Sequence, residues 1–195
     1  MISQMRLFTG LSIPPAIIEP IGSALTQLRQ AAELRWSPLE NLHITTKFIG
    51  EWPDARLTEL ENTLTAMPKP APLTVSVARF GFLPNPHRPK IFFAGVRAEA
   101  GLTQLAERTD KTLAALGVKP ETHPYTPHLT LCRVGHALPP VQALRDRIAQ
   151  LTGEGAEFDF GSFTANEFHL YQSKTGPAGS AYSKLSTYPL EKAAS

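Results

Sequence analysis

Apolar and polar positions along the chain divide it into short strands and helices without a strict βαβ rhythm. Residues 6–13 read as a strand stopped by Pro14-Pro15. Ile17, Ile21, Leu25 and Leu28 space a helix over 16–32, with Pro15 suited to its first turn and Pro20 predicting a late start or a kink. A short strand is expected at 34–36 and a longer one at 42–49, closed by Gly50. Residues 54–66 form a helix with Asp54 as its N-cap. Residues 73–80 alternate as a half-buried strand, 81–90 form a Pro-rich connection, and 91–96 form an apolar strand. A helix over 101–116 ends at Gly117, a strand covers 127–134, and a helix over 141–151 ends at Gly153 and Gly155. Residues 158–173 and 181–190 read as the two arms of a hairpin, with its loop at 175–180. This mixture argues for an α+β fold with largely antiparallel sheet.

Two of these strands carry matching tetrads, His43-Ile44-Thr45-Thr46 and His128-Leu129-Thr130-Leu131, 85 positions apart. In an extended strand, residues two apart project to the same face. Each tetrad therefore aims an imidazole and a hydroxyl in one direction. Two such pairs facing each other suit in-line attack on a phosphodiester, one His deprotonating water and the other protonating the leaving oxygen. Each tetrad strand is followed by a helix and then by more strand. Two related lobes within a single domain over 1–195, each giving one tetrad, would account for this echo.

The formal net charge of +2 is too small to indicate a partner, but its distribution is uneven. No Asp or Glu occurs in 62–98, which holds Lys69, Arg79, His87, Arg88, Lys90 and Arg97. A second acid-free stretch, 122–144, carries the second tetrad, Arg133 and three His. A basic face near the tetrads would attract phosphate, whereas a chance gap in acids would leave only solvated loops. The single Cys132 excludes an internal disulfide. No apolar run reaches the length of a membrane span, and the start leads into a strand pattern, not a secretory segment. A cytoplasmic protein and a monomer are the default expectations. No His-Glu-x-x-His, Cys-x-x-Cys, Asp-rich loop or P-loop is present, so neither a metal nor a cofactor is expected.

The tetrads and their flanks resemble the 2H phosphoesterases, and within them the bacterial RNA 2′,3′-cyclic phosphodiesterases, once called 2′-5′ RNA ligases. The resemblance runs through Arg6-Leu7-Phe8, Leu11 to Pro14, Asn41 to Glu51, Lys90 to Val96, Pro127 to Arg133, Glu167 to Ser173 and Tyr182 to Leu190. It implies a bilobal fold, with two mainly antiparallel sheets facing across a central cleft and helices outside. The implied reaction opens an RNA 2′,3′-cyclic phosphate to a 2′-phosphomonoester without metal, with reverse 2′-5′ ligation as a side activity. It also implies that His43 is the proton donor and His128 the acceptor; the residues alone do not order them.

Thr45 and Thr130 would donate hydrogen bonds to the non-bridging phosphate oxygens. Arg133, five residues beyond His128, is implied as a fork-shaped phosphate donor. Phe48, five beyond His43, is implied on the nucleobase side of the cleft or in the core. His87, Arg88 and Lys90 read first as a solvated loop and second as contacts to further RNA phosphates. His123, His136 and His169 are read as non-catalytic, and Cys132 as a buried filler. Thr46 stands where the family has an apolar residue, and is expected to point away from the cleft and to loosen packing under its strand. Competing readings are a phosphodiesterase for 2′-5′ oligoadenylate or ADP-ribose 1″,2″-cyclic phosphate, and a non-catalytic RNA-end binding module.

Overall fold

The computed structural model describes residues 3–87, 89–134, 141–152, 157–176 and 179–191. Its strands are β1 (Gln4–Ser12), β2 (Arg35–Trp36), β3 (His43–Pro53), β4 (Leu73–Leu83), β5 (Ile91–Ala98), β6 (His128–Arg133), β7 (Asp159–Ala165), β8 (Glu167–Gly176) and β9 (Gly179–Pro189). The helices are α1 (Pro15–Leu28), α2 (Leu57–Ala66), α3 (Ala100–Ala114) and α4 (Val141–Thr152). None of them is long and apolar enough to cross a membrane.

All described strand pairs are antiparallel, in the order β7-β4-β5-β6-β3-β1-β8-β9 with β2 beside β6. The sheet curls as two halves, β7-β4-β5-β6 and β3-β1-β8-β9, that meet through the single pair Ile44–Leu129. Both side chains of that pair are fully buried, and one continuous apolar cluster runs through both halves. Burial of each such aliphatic side chain contributes about 1.5–3 kcal/mol. The helix α1 follows β1 yet packs on β7, and α3 follows β5 yet packs on β3. Each half therefore has part of its apolar face covered by a helix that the other half's strands lead into. The α+β fold with antiparallel sheet expected from the pattern is the one observed, with helices against the sheet as the resemblance implies.

Several local expectations are corrected. The stretch 158–173 is not one arm of a hairpin but two strands, β7 and β8, in opposite halves, separated at Asn166. Asn166 is a turn former whose carbonyl accepts from Leu190 N–H at 2.7 Å, and the apolar pattern runs through the break without marking it. The hairpin is β8–β9, paired out to Gly176–Gly179, so much of the expected 175–180 loop is ladder. Gly50 does not close β3. It sits at a bulge with φ 87°, opposite Leu7, and the strand continues to Pro53.

Asp54 does not cap α2: residues 54–56 form a 3₁₀ turn and α2 starts after it with no side-chain cap. Strand β4 extends to Leu83 because Gly81 lets the Phe93 ring lie against it, where a Cβ would come within 2.4 Å of that ring. The helix α1 starts at Pro15 and continues through Pro20, whose missing N–H leaves only the carbonyl of the exposed Ala16 without its helical donor. Gly117 ends α3 with φ 90°, as expected. Gly153, Gly155, Arg88 and His136 lie outside the described residues.

Candidate active site

The two tetrad strands share the same succession of environments. In each the His is half-buried, the next residue buried, the Thr half-buried, the next two buried and the sixth exposed. The registers explain why. Gly10 faces Thr45 but Thr9 faces Lys47, so Thr46 is an extra residue in β3. Phe93 faces Thr130 but Phe92 faces Cys132, so Leu131 is the extra residue in β6. Such a bulge resets the alternation. Residues at positions one, three and six of each stretch therefore share the cleft face: His43, Thr45 and Phe48 from β3; His128, Thr130 and Arg133 from β6. The antiparallel pair Ile44–Leu129 turns its side chains to the core. One step either side of it, His43 lies beside Thr130 and Thr45 beside His128.

Both imidazoles are oriented in the same way. His43 Nδ1–H donates to the Asn41 carbonyl at 2.7 Å, and His128 Nδ1–H donates to the Thr126 carbonyl at 2.8 Å. A carbonyl only accepts, so each Nδ1 carries the hydrogen and each Nε2 is the position that exchanges protons. Burial pushes the His43 pKa below its ordinary value, and the nearby charges of Arg133 and His128 lower it further against the bond to Asn41. The structure thus brings His43, His128 and Arg133 into one electrostatic neighbourhood.

The surroundings of the two His differ. His43 stands among aromatic rings, with Phe8 at 4.6 Å, Tyr182 at 5.0 Å and Tyr171 at 6.0 Å between centroids. Phe48 is 53% exposed and 6.2 Å from Phe8, on the cleft and not in the core. His128 has Phe93 at 5.6 Å, edge to face. The strand alternation around 6–8 and 168–171 is the signal that would have placed Phe8 and Tyr171 beside His43. Tyr125 was not foreseen either; its Oη donates to the Thr45 carbonyl at 2.8 Å and braces the tetrad.

Thr46 points away from the cleft, as expected, but does not leave a loose spot. Its hydroxyl pairs with that of the fully buried Thr9 at 2.8 Å, so two polar groups satisfy each other in the core. Next to it Lys47 is also buried; its Nζ donates to Asp110 at 2.7 Å, to the Lys119 carbonyl at 2.8 Å and to Glu121 at 3.0 Å, tying β3 to α3. Cys132 is buried, and burial pushes its thiol up to about 11, which fits a packing residue and not a nucleophile. His123 is exposed and bonded to Thr122, whereas His169 is buried between Ser12 and Thr187. Within the basic stretch Arg79 pairs with Glu157, and Lys69 donates to a carbonyl at the end of α2. Part of that charge is thus engaged within the protein. Among the described residues, no group of three or more His, Cys, Asp or Glu is placed to hold a metal ion.

This geometry coincides with clear relationships to known proteins. The family model described as LigT like Phosphoesterase matches residues 11–93 and 95–182. A Methanocaldococcus jannaschii protein named RNA 2′,3′-cyclic phosphodiesterase is 32% identical over 178 residues, 91% of this chain and 96% of its own length. One of the same name from Methanothermobacter thermautotrophicus is 28% identical over 189 residues, 96% of this chain and all of its own. A crystal structure of a Thermus thermophilus protein superposes with TM-score 0.79 at 25% identity, covering 97% of this chain and 100% of that one. The fold also matches that of Escherichia coli LigT complexed with 3′-AMP, at TM-score 0.75 and 23% identity, covering 97% and 100% of the two chains. With both tetrads inside the matched segments, the chain belongs to the LigT-like phosphoesterases, enzymes of the 2H superfamily.

Proposed function

We propose that this protein hydrolyses RNA 2′,3′-cyclic phosphate ends to 2′-phosphomonoesters by metal-free catalysis with two histidines. The observation that carries the reading is the pair of imidazoles on one face of the sheet, each with Nδ1–H fixed on a carbonyl and Nε2 free to exchange a proton. The name shared by the curated relatives supplies the substrate class.

In this mechanism neutral His128 takes a proton from water as the oxygen attacks phosphorus. The bond to the ribose 3′ oxygen breaks, and His43 delivers its proton to that oxygen. Thr45 and Thr130 donate to the non-bridging oxygens, and Arg133 offsets the charge they gain in the transition state. Phe48 offers its exposed ring to the terminal base. Burial and the nearby Arg133 guanidinium favour neutral His43 in the free site. The negative phosphate opposes that charge, so substrate binding itself loads the acid. A ribose 5′-hydroxyl in place of water gives 2′-5′ ligation by the same proton transfers. Each half of the sheet supplies one tetrad, so a monomer holds the whole site.

The test is hydrolysis of 2′,3′-cyclic nucleotides and of short RNAs with cyclic ends, with product identification and exhaustive chelation. The expected products are 2′-phosphates, formed at an undiminished rate with chelator. A 3′-phosphate product, or activity restored only by one divalent ion, would overturn the mechanism.

A further inference from the structure

Strand β2 is two residues long and pairs with β6, Trp36 facing Cys132 and Arg35 facing Arg133. Trp36 and Cys132 turn to the core: Cys132 is fully buried, and Trp36 packs edge-on against Phe92 at 5.9 Å while its Nε1–H donates to the Ala32 carbonyl at 3.3 Å. Alternation then puts Arg35 and Arg133 side by side on the cleft face, where both are exposed. Like charges directly opposite each other across a strand pair are destabilising. Among the described residues neither guanidinium has an ion pair or a side-chain hydrogen bond that offsets this. The backbone nonetheless holds the strand in place, with Ser37 N–H donating to the Leu131 carbonyl at 2.8 Å.

The pair lies one step beyond the tetrad. From Thr130 to Arg133 the neighbouring β5 advances two residues, Phe93 to Ile91, a rise of about 7 Å. That is comparable with the step between successive phosphates along an extended RNA strand. We infer that Arg35, set beside the Arg133 that serves the scissile phosphate, forms a second phosphate subsite, which takes the phosphodiester on the 5′ side of the terminal nucleotide. The inference rests on the RNA reading above and deepens it: the protein selects the ends of RNA chains over cyclic mononucleotides, and Arg35 is a specificity residue.

The experiment compares binding of a ribodinucleotide 3′-phosphate with an analogue whose internucleotide link is an uncharged methylphosphonate. The parent protein is expected to prefer the charged link by about tenfold. In Arg35→Ala, and in Arg35→Gln as a second variant checked for folding, the preference falls to near unity. The log–log salt dependence of binding becomes shallower by about 0.7, the value for one phosphate on a single strand. Arg35→Lys restores part of the preference. No preference in the parent, full preference in a folded Arg35 variant, or equal weakening of both ligands would overturn the subsite. A parent that prefers the charged link but opens no cyclic end would instead sink the proposed reaction and leave the subsite standing.

Discussion

Strands β3 and β6 have the same local design and different chemistry. Each places a His, a Thr and the sixth residue on the cleft by means of a bulge. The sixth residue is an exposed phenyl ring in one, Phe48, and a guanidinium in the other, Arg133. The fifth is a buried, ion-paired Lys47 in β3 and an apolar, buried Cys132 in β6. His43 is ringed by aromatics, whereas His128 touches Phe93 alone among the described ring contacts. A duplicated scaffold thus supplies two equivalent proton-exchange positions, and the residues hung on it break the equivalence. One side presents aromatic surface and the other presents charge.

The largest test breaks the equivalence of the two His. His43→Ala and His128→Ala should each lower turnover of a 2′,3′-cyclic nucleotide by at least about 100-fold. A diester with an aryl leaving group needs no protonation to depart. On such a substrate His43→Ala should recover much of its loss and His128→Ala should not. Recovery by the His128 variant instead would exchange the roles of acid and base. Near-normal turnover in either folded variant would end the two-histidine mechanism.

A smaller effect is expected from the residues behind the bulges. Lys47→Met keeps the aliphatic stem but leaves Asp110 and the Lys119 carbonyl without their buried donor. Because the Asp110 side chain is 21% exposed, water offsets part of the loss, and a destabilisation of about 2 kcal/mol is expected in urea unfolding. Cys132→Ala removes one sulfur from an apolar site and should cost about 1 kcal/mol. A Lys47 variant as stable as the parent would show that the ion pairs only break even against desolvation.

The His-x-Thr spacing was legible because period two and side-chain chemistry both sit in the local sequence. Fold class followed from the same periodicity. The bulges at Thr46 and Leu131 were not legible: they are set by the register of β1 and β5, and only they make an odd spacing of five point the same way as the His. Nor did the alternation through 158–173 disclose that it feeds two strands at distant places in the sheet. Nothing local marks Lys47 as buried, since its three acceptors come from 110, 119 and 121, far along the chain. Arg35 read as part of a short strand whose partner could not be named. In each case the missing information was a long-range pairing.

Phe48 and Arg133 sharpen the comparison at the cleft itself. Arg133→Ala should lower kcat/KM on every cyclic phosphate by about tenfold or more, with both limbs of the pH–rate profile kept and the His43 limb moved to higher pH, because the Arg133 charge holds that pKa down. Phe48→Ala should raise KM by a few-fold, corresponding to about 1 kcal/mol of lost stacking, and leave kcat nearly intact. It should also narrow differences between purine and pyrimidine ends. If Phe48→Ala lowers kcat and leaves KM alone, the ring acts on the placement of His43, through Phe8, and not on the base.

The smallest effect concerns stability against pH. The half of the sheet formed by β3, β1, β8 and β9 holds two imidazoles, His43 and His169, whose pKa values are lowered from 6.5 chiefly by burial. Above 6.5 both the folded and the unfolded chain carry them neutral, and no stability is at stake. Below 6.5 the unfolded chain takes up protons that the folded chain refuses until its own lower pKa is reached, so stability falls with pH in that window. His43→Asn keeps an N–H donor for the Asn41 carbonyl but removes the titration. Between pH 7 and pH 5 the parent's melting temperature should therefore fall further than the variant's, by up to about 3 °C for a chain of this size. Inorganic phosphate in the cleft favours charged His43 and should shrink that difference, while the His169 contribution persists. Parallel melting curves across the range, with and without phosphate, would mean that water reaches His43 freely and that its acid role does not depend on bound substrate.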